Sequence, residues 1–155
     1  LVDETDAEIA AQAAAHPEFK GVTFTYGWYL SDGATALDLY VPQDPRVQLI
    51  EQLGFVSSPQ VVELGKTATG FYDSVSLEKL DTVESQFHLA WVDKPGDVEA
   101  TIGNPLVKRW EPIAKGSYYF MEDQALAWAS SQPSVLSIPW QLDKLVPELS
   151  SHLHL

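Results

Sequence analysis

Protein-borne catalysis draws mainly on cysteine, histidine, serine and carboxylate side chains, and few of them stand here in a working pattern. Cysteine is absent, which excludes disulfides, thiolate metal sites and a thiolate nucleophile. The four histidines are His16, His88, His152 and His154. His16 precedes a helix-stopping proline. His88 lies in an apolar run of strand length, where a hydrogen-bonded structural role is expected. His152 and His154 are two apart and cannot share a helix face to ligate a metal. No glycine-rich phosphate loop and no Gly-x-Ser-x-Gly elbow is present. The 22 Asp and Glu residues single out no catalytic pair. The expectation is a chain that is not an enzyme, with no protein-held metal and no intrinsic cofactor.

The informative side chains are aromatic. Of the five Trp, six Tyr and six Phe, Trp28, Tyr29, Tyr40, Tyr72 and Trp128 fall at expected strand ends or in loops. Such rings offer flat apolar contact with a polar tip, which suits a large rigid ligand. Arg46, in the first turn of an expected helix, could meet an anionic group on that ligand or pair with one of the many acids.

The formal net charge is −13, which repels nucleic-acid phosphates and anionic lipid heads. Hydrophobic residues make up 45% and charged residues 20% of the 155 residues, the composition of one globular domain. No apolar run approaches the ~20 residues of a membrane span. No basic-then-apolar start resembles a signal peptide, and a secreted precursor would carry its signal upstream of residue 1.

The elements that must position these rings follow from hydrophobic periodicity. Residues 4–15 read as an Ala-rich helix with acids at its start, ended by Pro17. Residues 21–29 alternate as a strand, and residues 30–43 form a long loop or extended hairpin. Asp44-Pro45 caps a helix closed by Gly54. The Ser-, Thr-, Gly- and Pro-rich stretch 57–74 predicts an irregular loop. Ser76 caps a short helix with Leu77 and Leu80 inward. Residues 87–92 read as a buried strand, 93–97 as a turn, and 104–110 as a short helix. A strand over 117–121, a helical stretch at 125–128 and a closing helix over 139–153 complete the chain, with Pro147 expected to kink or divide the last. The order predicts an α/β fold with a mostly parallel central sheet flanked by helices in three layers. Ligands bind such sheets outside the carboxyl ends of the strands, here Trp28-Tyr29, Val92-Asp93 and Met121-Glu122.

In its segment order the chain resembles the C-terminal lobe of the substrate-binding proteins that deliver ferric siderophores, haem or cobalamin to ABC importers. Ile9 to Phe19 resembles the tail of the helix that links the two lobes of those proteins. Gly21 to Tyr29 resembles the strand entering their cleft, and Arg46 to Phe55 their helix ending in Leu-Gly. Tyr72 to Leu80 resembles their Val-Ser-x-Glu-x-Leu element, Asn104 to Gly116 their Pro-Leu…Pro-Ala-x-x-Gly run, and Pro133 to Leu149 their closing helix. Gln86 and Ile113 depart from the Asp and Pro that are usual there. The resemblance implies a linking-helix tail over 1–18 and a C-terminal α/β lobe over 19–155. It implies a ferric siderophore bound in an interlobe cleft by Trp28, Tyr29, Tyr40, Arg46, Tyr72 and Trp128. It further implies an extracytoplasmic location in the periplasm or as a cell-surface lipoprotein, a missing N-terminal lobe, and docking of Glu78 on the transporter permease. A haem- or cobalamin-binding relative, a stand-alone small α/β enzyme and a pure interaction module are the alternatives open on the residues alone.

Overall fold

A computed structural model describes all 155 residues. Its core is a six-stranded sheet. The path runs β4 (Tyr72–Ser76), β2 (Ala36–Tyr40), β1 (Thr23–Trp28), β5 (Phe87–Trp91), β6 (Tyr118–Met121), with the two-residue β3 (Val56–Ser57) also pairing with β1. The contacts of β1 with β3 and β5, and of β5 with β6, are parallel. β2 is antiparallel to both β1 and β4. Every strand but β2 therefore points the same way, and the expected mostly parallel sheet carries one reversed strand.

Successive side chains of a strand point to opposite faces, and each face is covered by its own helices. One face places Phe24, Tyr26, Phe87, Leu89 and Met121 against α1 (Val2–Ala15), α2 (Pro45–Gln52), α7 (Gln124–Ser131) and α8 (Ile138–Ser151). The other places Leu37, Leu39, Val75, Ala90, Val92 and Phe120 against α3 (Pro59–Thr67), a 3-10 turn at Leu77–Thr82, α5 (Pro105–Lys108) and α6 (Glu111–Ala114). The result is the three-layer α/β arrangement. No helix is long and apolar enough to cross a membrane.

The structure corrects three local expectations and decides a fourth. Residues 57–74 are not one irregular loop: Pro59 opens α3, which buries Val61, and Tyr72 already belongs to β4. The Ser-Pro pair that looked like loop punctuation is a helix start, because proline fits the first helical position where its N–H is not needed. The loop-or-hairpin at 30–43 resolves as a hairpin whose return strand is β2. Asp97–Gly103 forms an additional helix, α4, after the expected turn. Pro147 does not divide α8, which runs unbroken from Ile138 to Ser151. Leu142, Leu145, Val146 and Leu149, all buried, hold both sides of the proline against the core, and that packing outweighs the lost backbone bond.

Gly27 is required by the β1–β2 crossing. A Cβ there would collide with the Asp38 carbonyl oxygen, so any side chain must push β2 away.

Candidate functional site

The register of the sheet gathers rings that are far apart in sequence. Trp28 pairs with Trp91 across β1 and β5, and Tyr40 pairs with Tyr72 across β2 and β4. All four share one face. The Trp28 ring lies 5.1 Å from Tyr40, 5.0 Å from Tyr72 and 6.1 Å from Trp91, the last pair stacked. Tyr29, one residue on, meets Trp91 edge-on at 5.7 Å. Tyr72 is 53% exposed, and Phe71 beside it 55%, so this shelf presents rings to solvent at its β4 side. On its other side Trp91 and Trp128, with Asp93, Gln124, Ala127 and Ser131, line a cavity of about 210 Å3. Trp128 is 75% exposed. It sits on α7, within a helix and not in the loop before the last one.

A chain of hydrogen bonds fixes the centre of the shelf. Asp44 caps α2, accepting from the Arg46 backbone N–H at 2.8 Å. The same carboxylate grips the Arg46 guanidinium in a fork, at 2.9 Å from Nε and 3.0 Å from Nη2. Arg46 Nη1 donates to the Tyr40 hydroxyl at 2.9 Å, and its guanidinium carbon lies 3.8 Å above the Tyr40 ring. Trp91 Nε1 donates to the same hydroxyl at 2.8 Å. The Tyr40 oxygen thus accepts twice, and its own proton has no acceptor in the protein. Burial, ahead of the opposing pull of Trp91 and Arg46, raises the Tyr40 pKa and keeps the phenol protonated. Arg46 spends three N–H groups on Asp44 and Tyr40 and keeps two free. One phenolic O–H and a charge-compensated guanidinium are therefore the polar donors set among the rings.

Beyond Asp44, two acids near the shelf, Asp38 and Asp93, pair with no lysine or arginine. Asp38 shares its face and hydrogen-bonds Ser74. Asp93 stands exposed at the end of β5. No group of three or more His, Cys, Asp or Glu side chains is arranged to hold a metal ion.

Each residue singled out in the sequence has a definite place. Trp28, Tyr29, Tyr40 and Tyr72 converge, Arg46 joins them through Tyr40, and Trp128 reaches them by way of Trp91. Glu78 is exposed on the 3-10 turn, while Leu77 and Leu80 beside it are buried as expected. It lies apart from the shelf. Trp91 was missed because its strand reads as a uniformly buried run. The signal that could have found it is parity: in a parallel pairing of Phe24 with Phe87, position 91 falls beside position 28. His88 is structural, as expected. Its Nδ1 is 2.8 Å from the Thr25 hydroxyl and its ring packs on Trp110 and Phe120.

The fold is like that of about half of several solved binding-protein structures, one of them described as FhuD fold-family. It matches the Streptococcus pneumoniae PiaA structure solved in complex with ferrichrome (TM-score 0.85, 22% identity), covering 98% of this chain and 51% of that one. It matches a periplasmic solute binding protein from Mycobacterium smegmatis at TM-score 0.78 and 19% identity, over 98% of this chain and 49% of the other. It also matches a FhuD fold-family component of a ferrichrome ABC transporter from Bacillus subtilis at TM-score 0.74 and 16% identity, over 96% and 55%. The chain spans about half the length of these structures. No protein-family model and no curated protein matches the sequence.

Proposed function

We propose that this chain is the C-terminal lobe of the substrate-binding component of an ABC importer, closing one side of a cleft around a ferric siderophore. Residues 1–18 would be the tail of the linking helix and residues 19–155 the lobe proper. The observation that carries the reading is the shelf of Trp28, Tyr40, Tyr72 and Trp91 with one free phenolic proton at its centre. Rings supply apolar area to a bulky chelate, and the Tyr40 O–H and the spare Arg46 N–H groups can donate to its metal-bound oxygens. Arg46 brings no net charge, because Asp44 cancels it, and Asp38 and Asp93 add negative potential. Such a site favours an uncharged chelate, in which three hydroxamates neutralise ferric iron, over a polyanionic one. Iron is held by its chelator, so the protein need supply no metal ligand. The similarity to the ferrichrome-bound PiaA structure supports the same reading.

Tryptophan fluorescence tests it. Titration of ferric ferrichrome into a polypeptide joining this lobe to a partner lobe should give saturable quenching, and this chain alone, with half a cleft, should bind far more weakly. Trp91→Ala should weaken binding about tenfold, the loss of roughly 1.4 kcal/mol for a central aromatic anchor. Nanomolar binding by the isolated chain, or indifference to Trp91→Ala, would defeat the two-lobe cleft. No quenching in either polypeptide, with a Soret shift on adding haem, would redirect the assignment to a haem carrier.

Glu78 is proposed to dock on a permease arginine. Its exposed position on a turn held by Leu77 and Leu80 supports that role. Glu78→Ala should leave siderophore affinity unchanged and reduce uptake in reconstituted transport; unchanged uptake would remove Glu78 from the interface.

A further inference from the structure

The two edges of the sheet are treated differently. β4 forms one edge. There the backbone N–H of Ser74 is capped by the Asp73 carboxylate at 2.8 Å. β6 forms the other edge, and its only sheet partner is β5. His88 N–H donates to the Ser117 carbonyl and Val92 N–H to the Met121 carbonyl. In a parallel ladder alternate residues face the partner, so Ser117, Tyr119 and Met121 turn their backbone groups toward β5. The N–H and C=O groups of Tyr118 and Phe120 then point outward, where no other part of the chain pairs with them.

A cleft of about 270 Å3 wraps this bare edge. Val98, Tyr118 and Phe120 lie on one side of it, Tyr119, Glu148 and His152 on the other, and Glu122 and Asp123 stand at its end. The carboxylates act on the groove together: after burial, the charges of Glu148, Asp123 and Glu122 are what push the Tyr119 phenol up to about 12. Lys115, three residues before β6 in sequence, is paired with Glu111 at 2.9 Å.

We propose that β6 is a strand-addition site for an extended, lysine- or arginine-bearing segment of another protein. Main-chain bonds to Tyr118 and Phe120 would supply affinity, and Glu122, Asp123 and Glu148 would select the basic side chains. A second copy of this chain is the wrong occupant. Pairing two β6 edges would join two equally acidic grooves on molecules of net charge −13 each. This site is separate from the aromatic shelf, and its test does not depend on the siderophore assignment.

The test uses this chain and an eight-residue peptide alternating lysine with threonine and valine, with a glutamate-for-lysine peptide as control. Amide hydrogen exchange of Tyr118 and Phe120 should be fast in the free protein and slow at least tenfold with the basic peptide only. Tyr118→Pro removes an outward N–H without touching the β5 ladder and should abolish the protection at Phe120. The double variant Glu122→Lys, Glu148→Lys leaves the backbone intact and should weaken binding tenfold or more, as should raising salt from about 0.05 to 0.5 M. Peptide binding that leaves both amides unprotected, or that survives both sets of variants, would mean adsorption to an acidic surface and would overturn the proposal. So would concentration-dependent dimerisation that protects the same amides without peptide.

Discussion

Asp44→Ala is expected to lower the stability of this protein by about 3 kcal/mol, roughly 10 °C in midpoint for a domain of this size. Asp44 is 0% exposed and does two jobs at once. It caps α2 through the Arg46 N–H, a contact whose loss costs about 1 kcal/mol. It also neutralises the Arg46 guanidinium, whose side chain is only 17% exposed. Removing the carboxylate leaves a largely buried cation without its partner, which is costlier than losing both members together. That access to water places the expected loss at the lower end of the range for buried pairs. The damage should reach the shelf, because Arg46 holds Tyr40 and Tyr40 orients the Trp91 indole. Tryptophan emission should therefore shift even under conditions where the variant is folded. Asp44→Asn separates the two jobs, since asparagine caps well but carries no charge. If Asn restores most of the stability, the cap and not the ion pair dominates. Urea unfolding of the three proteins measures this, and a loss under about 1 kcal/mol for Asp44→Ala would remove Asp44 as the organiser of the site.

Acid should unfold the protein through His88. The ring is 1% exposed, and Nδ1 reaches the Thr25 hydroxyl, which reaches Ser85, whose hydroxyl donates to the Phe87 carbonyl at 2.9 Å. Followed from its end, that chain makes Thr25 the donor to Ser85 and His88 Nδ1–H the donor to Thr25. Nε2 is then the unprotonated nitrogen, and it has no partner. Trp110 and Phe120 lie against the ring, so a proton on Nε2 would put a charge among aromatic rings. Burial drives the His88 pKa down from its ordinary value to about 3, opposed by a backbone contact with Thr25. The folded state thus binds this proton less readily than the unfolded chain does. Its contribution to stability is complete above pH ~6.5 and drains away as the pH falls toward 3. Near pH 4.5 the loss amounts to about 3 kcal/mol. Comparing denaturant unfolding of the wild type and His88→Leu at pH 7 and 4.5 isolates it, because the many carboxylates titrate alike in both. The variant should start less stable at pH 7 and lose markedly less on acidification. Equal losses in the two proteins would show that His88 is not the acid-labile group.

The legible part of this protein was the part governed by local chemistry. Residues 21–29, 87–92 and 117–121 announce strands by alternation or by compact apolar runs, and Asp44-Pro45 announces α2. Trp28, Tyr29, Tyr40 and Tyr72 stood out because large rings at strand ends and in loops have no obvious core to fill. α3 was hidden because Pro59 and Gly65 mark a loop as readily as a helix start and a close approach to Pro42 and Gln43. Trp91 was hidden for the opposite reason, since a tryptophan in a buried strand looks like core.

What the residues settled by themselves is the material: an acidic chain without cysteine, the α/β order of its elements, and a surplus of aromatic side chains outside any evident core. Tertiary structure decided what that material becomes. Strand register is a long-range property, set when β1 meets β5 and β2 turns back against both β1 and β4. Only that register places Trp28 beside Trp91 and Tyr40 beside Tyr72 on one face. The pairing of Arg46 was equally undecidable beforehand, because 22 acids were available; the turn into α2 chose Asp44 by putting its carboxylate within reach of both the backbone and the guanidinium. The bare edge of β6 likewise exists only because the sheet ends there. Composition fixes which groups a chain owns, whereas pairing across the sheet fixes which of them meet.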